Sequence, residues 1–130
     1  MNKRILIVED DNDINIMIQT ALKREGYECV GAYSGTEALL RIEAEEYSLV
    51  ILDLMLPGMA GQEVLSSIRK SSDVPVIVLS ARDELDTKVD LLTLGANDYM
   101  TKPFNPLEFT VRVKALLNAN LLTLRFNLNV

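Results

Sequence analysis

The sequence predicts one α/β domain, doubly wound, with helices on both faces of a parallel β-sheet. Five short apolar runs alternate with five amphipathic stretches of helical spacing, and such strand–helix alternation brings successive strands together in parallel. The first, third and fourth runs, among them Ile5-Leu6-Ile7-Val8 and Val76-Ile77-Val78-Leu79, are apolar without interruption, as suits strands covered on both faces. A chain of 130 residues has room for one hydrophobic core.

The first strand is predicted over Lys3 to Val8. Ile14, Met17, Ile18, Ala21 and Leu22 then fall on one helical face, and Gly26 supplies the stop. The second strand, Tyr27 to Ala32, carries the single cysteine, Cys29, as a packing residue. Ala38, Leu39 and Ile42 mark the second helix, Ser48 to Asp53 the third strand, and Val64, Leu65 and Ile68 the third helix. The fourth strand is Pro75 to Ser80. Leu85, Val89 and Leu92 mark a fourth helix ending at Gly95, and Asp98 to Thr101 is the fifth strand. The fifth helix opens with Asn105 as N-cap, Pro106 at N1 and Glu108 at N3, a capping-box arrangement. Its apolar face is Phe109, Val113, Leu116 and Leu117.

The last segment departs from this pattern. Leu122, Leu124, Phe126, Leu128 and Val130 alternate with Thr123, Arg125, Asn127 and Asn129, the pattern of a half-buried strand. Residues 1–119 therefore read as one domain, and 120–130 as a linker or the truncated start of another. Disorder or intermolecular strand pairing is expected there, because an unpaired apolar edge recruits partners.

Composition excludes several function classes. A net charge of −6 makes nucleic acid a poor partner for this chain without an added basic module. The chain has no histidine, which removes Ser-His-Asp and Cys-His catalysis, histidine-ligated zinc and any internal phosphohistidine. No apolar run approaches the roughly 20 residues of a membrane helix, and the run after Arg4 is too short for a secretory signal. One cysteine allows no internal disulfide, which suits a reducing cytoplasm.

Binding sites in open parallel sheets form outside the carboxyl ends of the strands. Here the first strand ends in Glu9-Asp10, the third in Asp53, the fourth in Ser80 and the fifth just before Lys102. A carboxylate can serve as nucleophile and form an acyl phosphate. Clustered carboxylates repel, and a hard divalent cation relieves them; Mg²⁺ suits one or two carboxylates plus phosphate oxygens. A lysine and a hydroxyl can hold the remaining oxygens of a transferring phosphoryl group. Asp10, Asp11 and Asn12 are also candidates for the N-cap of the first helix. Asp53 has less structural excuse, following the buried run Leu49-Val50-Ile51-Leu52.

From about Lys3 to Leu117 the sequence resembles the receiver domains of bacterial two-component response regulators. The matching stretches are Ile5-Leu6-Ile7-Val8-Glu9-Asp10, Leu52-Asp53-Leu54-Met55-Leu56-Pro57-Gly58, Val76-Ile77-Val78-Leu79-Ser80-Ala81 and Gly95-Ala96-Asn97-Asp98-Tyr99-Met100-Thr101-Lys102-Pro103-Phe104. The resemblance implies a flavodoxin-like (βα)5 fold, a five-stranded sheet in the order 2-1-3-4-5. It implies Asp53 as phosphoacceptor, with a sensor histidine kinase as donor. Mg²⁺ would be held by Asp10, by Glu9 through water, by Asp53 and by the backbone carbonyl of Met55, while Asp11 starts the helix. Lys102 would bind the phosphoryl group, and its bond to Pro103 would be cis. Ser80 and Tyr99 match the hydroxyl–aromatic switch pair, the ring turning inward when the hydroxyl follows the phosphoryl group; an ordinary edge-strand aromatic is the other reading of Tyr99. Such a protein is a signalling switch, with no catalysis beyond its own phosphorylation and dephosphorylation.

The region from the fourth helix to the fifth resembles the winged-helix (OmpR/PhoB-type) transcription-factor class, whose receivers dimerise through this face. Lys88 matches a position that pairs with Glu108 of the other subunit, and Asp98 one that pairs with Arg112. Asn97 and Ala119 stand where a third acid–base pair would be expected, so the homodimer would be weak. DNA binding would belong to a longer parent, and no membrane contact is implied. Ala60 stands where the family commonly has Asp. The rival readings are a phosphorylation-independent scaffold receiver and an aspartate-based phosphatase. The phosphatase would want a second Asp where Met55 stands. A flavin or nucleotide carrier would meet repulsion from Glu9-Asp10-Asp11.

Overall fold

The computed structural model describes residues 3–81, 90 and 92–128, with side chains as far as Asn118. Its strands are β1 (Arg4–Val8), β2 (Glu28–Ala32), β3 (Leu49–Asp53), β4 (Val76–Ser80) and β5 (Asp98–Thr101). Helices α1 (Asn12–Lys23), α2 (Gly35–Ala44) and α3 (Gly61–Ser71) connect the first four strands, and a C-terminal helix covers Pro106–Leu128. All neighbouring strands pair in parallel, in the order β2-β1-β3-β4-β5. This is the doubly wound topology that the resemblance implied.

The two-residue period of the strands divides the core into two layers. Leu6, Val8, Val50, Leu52, Val76 and Val78 face α2 and α3, where Ala38, Val64, Leu65 and Ile68 meet them. Ile5, Ile7, Leu49, Ile51, Ile77 and Leu79 face the other way, against Ile18 and Leu22 of α1 and Phe109, Val113 and Leu117 of the C-terminal helix. Val50 pairs with Val76, and Asp53 with Leu79. That register aligns the carboxyl ends of β3 and β4.

Helix ends follow local chemistry. Asp11 caps α1 by accepting from the Ile14 amide at 3.0 Å, and Ser34 caps α2 by accepting from Glu37 at 3.1 Å. Gly26, at φ +90°, ends the turn after α1, and Gly95, at φ +110°, leads into β5. Asn105 Oδ1 accepts from the Leu107 amide at 2.8 Å, as an N-cap should, while Glu108 pairs with Arg112 instead of completing a capping box.

Three sequence expectations need correction. On α1 the buried stripe is Asn15, Ile18 and Leu22, and Met17 is exposed. Leu92 lies in helical backbone before Gly95 but is also exposed; Leu85, Val89 and Lys88 lie outside the described residues. The segment read as an alternating strand is helical through Leu128. No Gly or Pro follows Pro106, and Leu121, Leu124 and Leu128 also fit helical spacing, so an established helix propagates.

Candidate functional site

Each strand delivers its last residues to one rim. Glu9, directly after β1, is buried, whereas Asp10 beside it is exposed. Asp53 closes β3 and is buried, and Ser80 closes β4 with its side chain also buried. One carboxylate oxygen from each of Glu9, Asp10 and Asp53 lies within 4.8 Å of the others.

Lys102 joins this cluster from the far edge of the sheet. Its Nζ donates to Glu9 Oε1 and to Asp53 Oδ2, both at 2.8 Å. Its own amide donates to the Ser80 carbonyl at 2.7 Å, which locks the loop after β5 onto β4. The Lys102–Pro103 bond is cis, as the resemblance implied. Phe104 follows and stacks on Phe109, ring centroids 5.2 Å apart, anchoring the loop to the C-terminal helix.

The remaining carboxylate oxygens of Glu9 and Asp53 are also engaged. Asp53 Oδ1 accepts from the Met55 amide at 3.0 Å, and Glu9 Oε2 accepts from the Asp11 amide at 3.3 Å. Gly61 brings the start of α3 against this turn: a Cβ there would stand 2.5 Å from Leu54 Cα and 3.0 Å from the Asp53 carbonyl oxygen. Any larger residue would displace the backbone behind the central acid.

Electrostatics divide the two buried acids. Burial, reinforced by adjacent Asp53, pushes Glu9 up to about 7. Burial also pushes Asp53 upward, but hydrogen bonding with Glu9 and Lys102, the Met55 amide and the Lys102 charge outweigh it, and its carboxyl lies below the ordinary aspartate range. For Lys102, burial favours the neutral amine, yet the two carboxylates hold it above its usual value. Three acids against one lysine leave an excess of negative charge, and all donors are hard oxygens. The set fits a divalent cation such as Mg²⁺.

The structure thus brings Glu9, Asp10, Asp53 and Lys102 together, with Ser80 at the neighbouring strand end. Tyr99 is inward, only 5% exposed, and packs in the layer shared with α2 and α3. Asp98 and Arg112 do meet, but within one chain, at 3.0 Å, and Arg112 also reaches Glu108 at 3.3 Å. Asn97 has a task of its own: its Oδ1 accepts from the Val76 amide and from Arg69, both at 2.9 Å. Sequence reasoning missed Arg69, whose guanidinium also donates to the carbonyls of Ser72, Val74 and Gly95.

Comparison with known proteins agrees with this architecture. Residues 5–114 match the response regulator receiver domain family. The chain is 47% identical over 118 residues to the alkaline phosphatase synthesis transcriptional regulatory protein PhoP of Bacillus subtilis, covering 90% of this chain and 49% of that protein. It is 44% identical over 117 residues to the regulatory protein VanRc of Enterococcus gallinarum, covering 90% and 51%. Among solved structures, the receiver domain of the Francisella response regulator 1452 superposes with a TM-score of 0.87 at 35% identity, covering 92% of this chain and 99% of that one. The response regulator TrrA of Thermotoga maritima, solved in complex with Mg²⁺-BeF, gives a TM-score of 0.78 at 40% identity, covering 88% and 98%. The chain belongs to the response regulator receiver domain family. It spans about half the length of the curated relatives it matches.

Proposed function

We propose that this receiver domain is a switch whose phosphoacceptor is Asp53, charged by a partner sensor histidine kinase in the presence of Mg²⁺. The observation that carries the reading is the contact of Lys102 Nζ with Asp53 and Glu9, both at 2.8 Å. It sets a cation beside a buried carboxylate kept ionised, which is what a nucleophile for an incoming phosphoryl group requires. The Mg²⁺-BeF complex of TrrA supports a Mg²⁺-dependent phosphoryl site in a relative of this fold.

In the transfer, an Asp53 carboxylate oxygen attacks phosphorus in line with the phosphorus–nitrogen bond of the donor phosphohistidine. A phosphorus–oxygen bond forms, the phosphorus–nitrogen bond breaks, and its electron pair stays with the departing imidazole. Mg²⁺, held by Asp10, Asp53, the Met55 carbonyl and Glu9 through water, would supply charge compensation for the phosphoryl oxygens. Lys102 pairs with one of those oxygens and the Ser80 hydroxyl with another.

Ser80 and Tyr99 then report the phosphoryl group to the face formed by the fourth helix, β5 and the C-terminal helix. There Asp98, Glu108, Arg112 and Lys88 would support a weak homodimer. In a longer parent the output is control of transcription, the activity named for PhoP. The setting is cytoplasmic; among the described residues no helix is long and apolar enough to cross a membrane.

Intact-mass spectrometry after incubation with acetyl phosphate and Mg²⁺ tests this reading. One added phosphoryl group is expected on the unaltered chain and none on Asp53→Asn. No gain under conditions that modify another receiver would favour a phosphorylation-independent scaffold.

A further inference from the structure

We propose that Asn15 is a positioning residue that holds the Glu9-Asp10 acid pair in its metal-binding arrangement. The inference rests on the reading of that pair as Mg²⁺ ligands. Asn15 is polar, lies within α1 and is 0% exposed, while its neighbours Ile16 and Met17 face solvent. A helix turned to bury an asparagine in preference to an isoleucine and a methionine gains something from that amide. Its Nδ2 donates to the carbonyl oxygens of Glu9 at 3.0 Å, Ile7 at 3.2 Å and Ala32 at 3.3 Å. Two amide hydrogens are shared among three acceptors at the place where the β1–β2 ladder ends.

The Glu9 carbonyl belongs to the planar peptide that joins Glu9 to Asp10. Fixing its oxygen fixes the plane from which both acid side chains project, one into the buried rim and the other to its exposed edge. The Ala32 carbonyl also accepts from the Glu9 amide at 3.0 Å. Glu9 is therefore held from both sides, by β2 through its N–H and by Asn15 through its C=O.

Asn15 is itself aimed. Gln19, one turn on, donates from Nε2 to Asn15 Oδ1 at 2.7 Å, which turns the amide so that its NH₂ faces the strands. Gly31 of β2 leaves space for the pair: a Cβ there would stand 2.7 Å from Gln19 Nε2 and 2.9 Å from Asn15 Oδ1. Gln19, Asn15 and the Glu9 carbonyl form a relay from the body of α1 to the acid pair.

The test compares Mg²⁺ affinity with fold stability in Asn15→Ala, Gln19→Met and the packing control Ile18→Ala, by calorimetric titration with Mg²⁺ and by thermal unfolding. Groups that orient metal ligands typically change affinity by 10–100-fold, so Asn15→Ala is expected to weaken Mg²⁺ about tenfold. Gln19→Met should weaken it less, and Ile18→Ala should lower the melting temperature with affinity unchanged. Mg²⁺ affinity within twofold of the unaltered chain in both Asn15→Ala and Gln19→Met overturns the proposal. Should Asn15→Ala not fold, Gln19→Met decides alone by the same criterion. An unaltered chain that binds no Mg²⁺ would overturn the metal-site reading itself, a result distinct from normal Mg²⁺ binding by all variants.

Discussion

Lys102 stands 2.8 Å from each of two carboxylates that are almost wholly withdrawn from water, and its ammonium compensates their charge. Removing Lys102 leaves the ionised Asp53 in a poorly solvated site without its counter-charge. Lys102→Met is expected to cost about 2 kcal/mol of metal-free stability, and Mg²⁺ should raise its melting temperature more than that of the unaltered chain. A variant as stable as the unaltered chain in the presence of a chelator would show that the lysine is no electrostatic keystone. Cys29 gives a simpler test of local environment. Burial pushes its thiol up to about 11, against a small opposing pull from Lys23. A raised pKa means less thiolate at any pH below it, so at pH 8 reaction with a disulfide reagent should be roughly 100-fold slower than for a free thiol near 8.5. The rate should keep rising through pH 10, where an ordinary thiol has levelled off, provided circular dichroism shows the fold intact. Rapid labelling at pH 8 would count against a packed Cys29.

Helix α3 begins at Gly61 with Ala60 in the N-cap position, where it makes no side-chain hydrogen bond. Ala60 already has the extended backbone of a cap, φ −62° and ψ 145°, and Glu63 occupies the third helical position. Ala60→Asp would add the missing acceptor and complete a capping box, a gain of about 1 kcal/mol, or about 4 °C in melting temperature. An unchanged or lower midpoint would mean that charge repulsion from the nearby acids outweighs the cap. The elements themselves were legible in sequence because apolar runs and helical stripes reflect the two layers directly; the parallel sheet and the convergence of Glu9, Asp53, Ser80 and Lys102 at strand ends followed, while the strand order came from the family resemblance. What stayed hidden depends on contacts between distant backbones. Asn15 reads as an ordinary polar helix residue until the carbonyls of β1 and β2 are in place. Arg69 reads as a solvated charge until four acceptors in two separate turns surround it. The tail misled because alternation over nine residues cannot by itself distinguish an edge strand from an unbroken helix of Leu-rich sequence.

Across the whole molecule, the acids and Lys102 lie on the carboxyl rim, while the proposed output surface runs along the β5 edge of the sheet. Asp98 of β5 joins an ion-pair cluster there, and exposed apolar side chains occur in the segment before β5 and at the start of the C-terminal helix. Asp98 and Glu108 converge on Arg112, and Leu92, Leu94, Leu107 and Val111 are exposed. In the single chain these charges are already satisfied, so self-association must exchange internal ion pairs for intermolecular ones. The gain from such an exchange is small, because exposed pairs contribute only about 0.2–1 kcal/mol each. Apolar contact along the same edge must supply the rest. Sedimentation velocity is therefore expected to show a monomer in Mg²⁺ alone and a measurable dimer when Mg²⁺-beryllofluoride occupies the phosphoryl site. Raising salt should weaken the dimer, since the Debye length falls from about 10 Å at 0.1 M to about 3 Å at 1 M. Leu107→Ser should weaken it as well, by removing apolar area while leaving the Arg112 cluster intact. A chain that stays monomeric at high concentration with the phosphoryl mimic bound would separate the acid site from this surface, and the output would have to leave by another face.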